Sequence, residues 1–80
     1  MSGLAVVGMV VENRGQRAPD LQEILTRHGD RILGRMGLRS PDKEEGIISL
    51  IVEGSDEEVE RIVRDIGSVD GVTVTHMMLR

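Results

Sequence analysis

The chain has 80 residues, no cysteine, no Phe, Tyr or Trp, and a formal charge of −4. Disulfides, thiolate metal sites and cysteine nucleophiles are thereby excluded. The missing aromatic rings and the acidic balance argue against direct nucleic-acid binding, which relies on base-stacking platforms and a basic surface.

A chain this short buries only about 60% of its unfolded surface, so help from self-association is expected. One domain spanning residues 1–80 is expected, with no room for a DNA-reading headpiece or a catalytic module. Met1-Ser2-Gly3 offers no basic leader ahead of the first apolar run. That run is far shorter than the ~20 apolar residues that cross a bilayer. The reading is a cytoplasmic protein without a membrane partner.

In chain order, residues 4–12 form a first strand that is apolar on both alternating faces, the pattern of a central strand. Asn13-Arg14-Gly15-Gln16 reads as a polar loop. Asp20 and Glu23 have capping-box spacing for a helix whose stripe is Leu21, Ile24, Leu25 and His28. Gly29 is expected to end that helix in the left-handed conformation. Residues 31–39 alternate, with Ile32, Met36 and Leu38 on one side and Arg31, Arg35 and Arg39 on the other, as in an edge strand. Ser40-Pro41-Asp42-Lys43 reads as a hairpin connection to a third strand over residues 47–53.

Ser55 and Glu58 form a second capping box, and Asp56, Glu57 and Glu58 suit the positive end of the helix dipole. The stripe of that helix is Val59, Ile62, Val63 and Ile66. Glu57–Arg61 and Glu60–Arg64 are spaced for i,i+4 pairs. Gly67 ends the helix. Asp70-Gly71 then turns into a last strand on which Val72, Val74, His76 and Met78 share a face.

Strand, helix, strand, strand, helix, strand is the order of an α+β ferredoxin-like sandwich, a four-stranded antiparallel sheet with both helices on one face. The expected strand order is 4-1-3-2, which makes the first and third strands central. Both are apolar on two sides, so one apolar sheet face has no helix to lie under. Val7, Met9, Ile51 and Leu33 are expected on that uncovered face, and a second copy of the chain is the economical cover. A homodimer or homotetramer is the expectation.

Three groups are candidates for chemistry. His28 and His76 are the only imidazoles. A metal site needs them to converge, as across a subunit interface, whereas a structural reading has His28 capping its helix and His76 on an edge strand. Asn13, Arg14 and Gly15 lie between a central strand and a helix N-terminus, where amides and an arginine fork attract carboxylates or phosphates. These three are the candidate ligand-binding residues, against an ordinary surface turn. The Arg31, Arg35 and Arg39 stripe suits an anionic partner or simple edge protection. No nucleophile-and-base constellation emerges, so no enzymatic activity, catalytic residue or cofactor is expected.

The segment Gly29-Asp30-Arg31-Ile32-Leu33-Gly34-Arg35-Met36-Gly37-Leu38 is followed by Ile47-Ile48-Ser49-Leu50-Ile51-Val52-Glu53-Gly54. Gly67-Ser68-Val69-Asp70-Gly71-Val72-Thr73-Val74 comes later. This series resembles the iron-only hydrogenase system regulator family across nearly the whole chain. The resemblance implies an ACT-like fold, related to the nickel-binding domain of the nickel-responsive repressor. That repressor's His-rich and Cys ligand set is not present here, so its nickel site does not carry over. ACT domains often bind amino acids at the first strand-helix loop and the subunit interface. Asn13-Arg14-Gly15 matches their Asp-Arg-Pro-Gly pattern only in part. The resemblance therefore implies a stand-alone ACT-like regulatory module that oligomerises, binds a small ligand or a partner protein, and affects transcription only through another protein. The alternative is a metal-responsive binder using His76 with His28 at a subunit interface.

Overall fold

The computed structural model describes residues 3–40 and 44–80, so the central part of the hairpin connection, Pro41-Asp42-Lys43, lies outside the described residues. The elements are β1 (Leu4–Val11), α1 (Arg14–Arg27), a single 3-10 turn (Gly29–Arg31), β2 (Ile32–Arg39), β3 (Gly46–Glu53), α2 (Asp56–Gly67) and β4 (Val72–Met78). The sheet is antiparallel in the order β2-β3-β1-β4, as the two doubly apolar strands require. This is the ferredoxin-like arrangement expected from the sequence.

Register decides which apolar set of β1 is buried. Ala5, Val7, Met9 and Val11 pair with Val52, Leu50, Ile48 and Gly46 of β3 and with Met78, His76, Val74 and Val72 of β4. This layer lies beneath the helices, which add Leu21, Ile24 and Leu25 from α1 and Val59, Ile62 and Ile66 from α2. No polar or charged side chain among the described residues is buried. Each fully buried Leu, Ile or Val contributes about 1.5–3 kcal/mol of transfer free energy, and apart from Ala5 and Met9 the buried core is of this kind. Val7 and Met9 thus belong to the core, not to the uncovered face where the sequence pattern placed them. The pattern was degenerate because a one-residue slip exchanges two equally apolar faces.

The helices begin in contrasting ways. α2 has the expected capping box. Glu58 N–H donates to Ser55 Oγ at 3.2 Å, and Ser55 N–H donates to Glu58 Oε1 at 2.8 Å. α1 starts six residues before the Asp20 box, at Arg14, with Asn13 as N-cap in the left-handed region (φ 49°, ψ 55°) and no side-chain capping bond. Asp20 is exposed within the helix. Pro19 also lies within it, leaving the Gly15 carbonyl without its intrahelical donor.

At the other end of α1, Gly29 does not take the left-handed conformation, since Gly71 is the glycine with positive φ (80°) among the described residues. The chain instead tightens into the 3-10 turn, and His28 Nε2 meets Asp65 Oδ2 of α2 at 2.7 Å. Gly71 uses its freedom to turn into β4, where its carbonyl accepts from Glu12 N–H at 2.8 Å. Neither Glu57–Arg61 nor Glu60–Arg64 closes into an ion pair. The first turn of α2 is instead tied to the 3-10 turn, by Arg31 with Glu58.

Candidate functional site

A bulge sets the sidedness of β2. Ile32 opposes Val52 and Gly34 opposes Ile51, so Leu33 is the extra residue. Ile32 thereby joins the helix-covered side, while Met36 and Leu38 fall on the uncovered one. The arginine stripe is split by the same device. Arg31 leaves the strand altogether, whereas Arg35 and Arg39 lie opposite Leu50 and Gly46, on the helix side. Arg35 Nη1 reaches across to α1 and donates to Gln22 Oε1 at 3.1 Å.

Between α1 and the β2–β3 end of the sheet these residues enclose a cleft of about 460 Å³. Val11, Leu21 and Ile48 supply apolar lining, and Gln22, Arg35 and Arg39 are its polar side chains. Gly37 and Gly46 lie along it and present no side chain. Neither arginine has a carboxylate partner among the described residues. The alternation of β2 pointed to these arginines, but only the bulge and the register show that they face α1.

Asn13, Arg14 and Gly15 come together as the N-cap and first turn of α1, immediately after β1. Asn13 and Gly15 are exposed. The Asn13 carbonyl accepts from the N–H groups of Gln16 (2.8 Å) and Arg17 (3.1 Å). The first turn of α1 holds no acidic residue, while that of α2 holds Asp56, Glu57 and Glu58. The positive end of α1 therefore lacks the first-turn carboxylates that α2 carries.

The contrast shows in the titration of Glu58. Its carboxyl is held below the usual glutamate range, chiefly by the Ser55 backbone N–H. The Ser55 hydroxyl and the charges of Arg31 and Arg61 act in the same direction, against partial desolvation.

The two imidazoles have separate settings. His28 is engaged by Asp65 across the helix pair. His76 is half-buried on the helix side of β4, opposite Val7. No group of three or more His, Asp or Glu side chains among the described residues is placed to hold a metal ion.

The uncovered sheet face is the other distinctive surface. Met36 and Leu38 of β2, Ile47 and Ile51 of β3, Val10 of β1 and Met77 of β4 share it. Their exposures run from 37% at Val10 to 62% at Met36. Ile51 is on this face as expected, and Leu33 is exposed at the bulge. No helix is long and apolar enough to cross a membrane among the described residues.

Comparisons with known proteins agree with this architecture. The structure of an uncharacterized protein, TM1266 from Thermotoga maritima, superposes with a TM-score of 0.92 at 22% identity, covering 100% of both chains. The ACT domain from the GTP pyrophosphokinase of Chlorobium tepidum has a TM-score of 0.78 at 15% identity, over 96% of this chain and 100% of that one. SnoaB, a cofactor-independent oxygenase from Streptomyces nogalater, has a TM-score of 0.63 at 10% identity, over 100% of this chain and 93% of that one. At these identities the likeness is one of fold, and a fold shared by an oxygenase and an ACT domain does not choose between chemistry and regulation. No curated protein matches the sequence. A family model does match, over residues 3–76. The chain belongs to the TM1266-like family, described as iron-only hydrogenase system regulators.

Proposed function

We propose that this protein is a small non-enzymatic regulatory module that works as a homo-oligomer, dimer or tetramer, and responds to a small ligand. Membership of a regulator family and the ACT-like fold support the regulatory part. The observation that carries self-association is the apolar sheet face formed by Val10, Met36, Leu38, Ile47, Ile51 and Met77. All are more than a third exposed and share one side of one sheet. Singly exposed apolar residues need no explanation, but a contiguous face of them is characteristic of an interface.

Ligand entry is assigned to the start of α1, at Asn13, Arg14 and Gly15, a helix N-terminus with no acidic residue in its first turn. Signals received there reach other proteins through the oligomer, with no nucleic-acid contact of the module's own.

Native mass spectrometry at micromolar concentration tests the reading. A dimer or tetramer is expected, and Ile51→Lys, which puts a charge in the middle of the sheet face, is expected to yield monomers. A monomeric wild-type protein would overturn it.

A further inference from the structure

The cleft between α1 and β2 has a chemical character of its own. Among the described residues its lining is apolar apart from three side chains, and two of these are arginines. The third, Gln22, is the one side-chain oxygen among the described lining residues, and it already accepts from Arg35. Among the described residues no Asp or Glu lines the cleft. A carboxylate entering it meets guanidinium donors that a single bond to Gln22 does not exhaust, because the group carries five N–H donors in a fork that matches carboxylate geometry. A hydrocarbon tail meets Val11, Leu21 and Ile48. An ammonium group, by contrast, meets like charge and no anionic side chain among the described residues, so its desolvation is not offset there. The volume of about 460 Å³ lies in the range of small-molecule sites.

We propose that this cleft is the binding site for a small monocarboxylic acid with an apolar body and no amino group, held by Arg35 and Arg39. This deepens the ligand-binding reading above and rests on it, but moves the ligand's body from the tip of α1 to its flank. It also sets the ligand's class: two cations and no carboxylate among the described lining residues select against zwitterionic amino acids.

The matched probes are 4-methylpentanoate, leucine, which is the same skeleton with a 2-amino group, and 4-methylpentanamide, which lacks the charge. Each is titrated into the full chain while backbone amide shifts are followed by NMR. With 4-methylpentanoate, saturable shifts are expected around Leu21, Gln22, Gly37 and Ile48. Leucine and the amide are expected to bind at least tenfold more weakly. Arg35→Ala combined with Arg39→Ala is expected to weaken 4-methylpentanoate at least tenfold. Gly37→Leu is a second variant: a Cβ at Gly37 meets nothing within 4 Å, so the larger side chain fills open space and abolishes binding while the folded spectrum remains.

Leucine binding as tightly as 4-methylpentanoate would overturn the proposal. So would unchanged binding by the double arginine variant, which would leave the arginines as edge protection only. Shifts confined to residues 12–16 would overturn the cleft but leave the ligand-binding reading intact. No saturable shift with any probe would also overturn the cleft, while native mass spectrometry reports on self-association independently.

Discussion

The two β-α-β halves share a topology and differ in how completely each satisfies itself. In the second half α2 carries a reciprocal capping box, three acidic residues on its positive end, an ion pair from Arg31 and three buried apolar residues. In the first half α1 begins on a left-handed Asn13 with no side-chain cap and carries Pro19 in its interior. Its partner strand β2 is exposed along nearly its whole length. Both halves feed one shared core, and the second adds a fully capped helix start. The other half has a helix start without a side-chain cap, two arginines (Arg35 and Arg39) without a carboxylate partner among the described residues, and open glycines. The two halves thus differ in how their helix starts are satisfied and in how much of their strands is covered, and less stabilised elements are the ones from which mobile or binding parts of a fold are drawn.

The comparison is tested most severely in the shared core. Ile62→Ala removes a side chain that is 1% exposed and should destabilise the fold by about 3 kcal/mol in urea unfolding. Met36→Ala on the uncovered face should change stability by less than about 0.5 kcal/mol under conditions where the chain is monomeric. Equal effects would mean the two sheet faces are not as different as their burial says.

Next in size is the α2 cap. Ser55→Ala should cost about 1 kcal/mol by losing the bond to Glu58 N–H. At the start of α1, Asn13→Gly should leave stability unchanged or raise it by a few tenths of a kcal/mol. It breaks no capping bond there and relieves a left-handed residue. A large loss at Asn13 would show that α1 is capped after all.

The smallest effect is electrostatic. Because folding lowers the Glu58 pKa, its contribution is present above the ordinary glutamate range and is lost as pH falls through the lowered value. Glu58→Gln should therefore flatten the acid limb of the stability profile and leave the neutral-to-alkaline limb parallel to wild type. Unchanged acid sensitivity would move the responsible carboxylate elsewhere.

Some of this was legible in the linear pattern for physical reasons that are local. The α2 cap is a contact between residues three apart, and Gly71 acts through its own φ, so both could be read directly. The start of α1 was misplaced because Asp20-x-x-Glu23 has the spacing of a box that the structure does not use, while Asn13 starts the helix without any side-chain bond that a pattern could reveal. The arginines at 35 and 39 were noticed as a stripe, but Leu33 shifts the register by one. Their direction toward α1 is thus a property of pairing with β3 and not of alternation.

What the sequence determined by itself was the order of elements, the two central strands and the presence of a surplus apolar face, because periodicity and composition are carried residue by residue. What only the tertiary structure decided was which face is the surplus one and what lines the cleft on the opposite, helix-covered side. Val7 and Val6 are chemically equivalent side chains on adjacent positions, and only the registry of β1 against β3 and the docking of two helices make one fully buried and leave the other on the uncovered side.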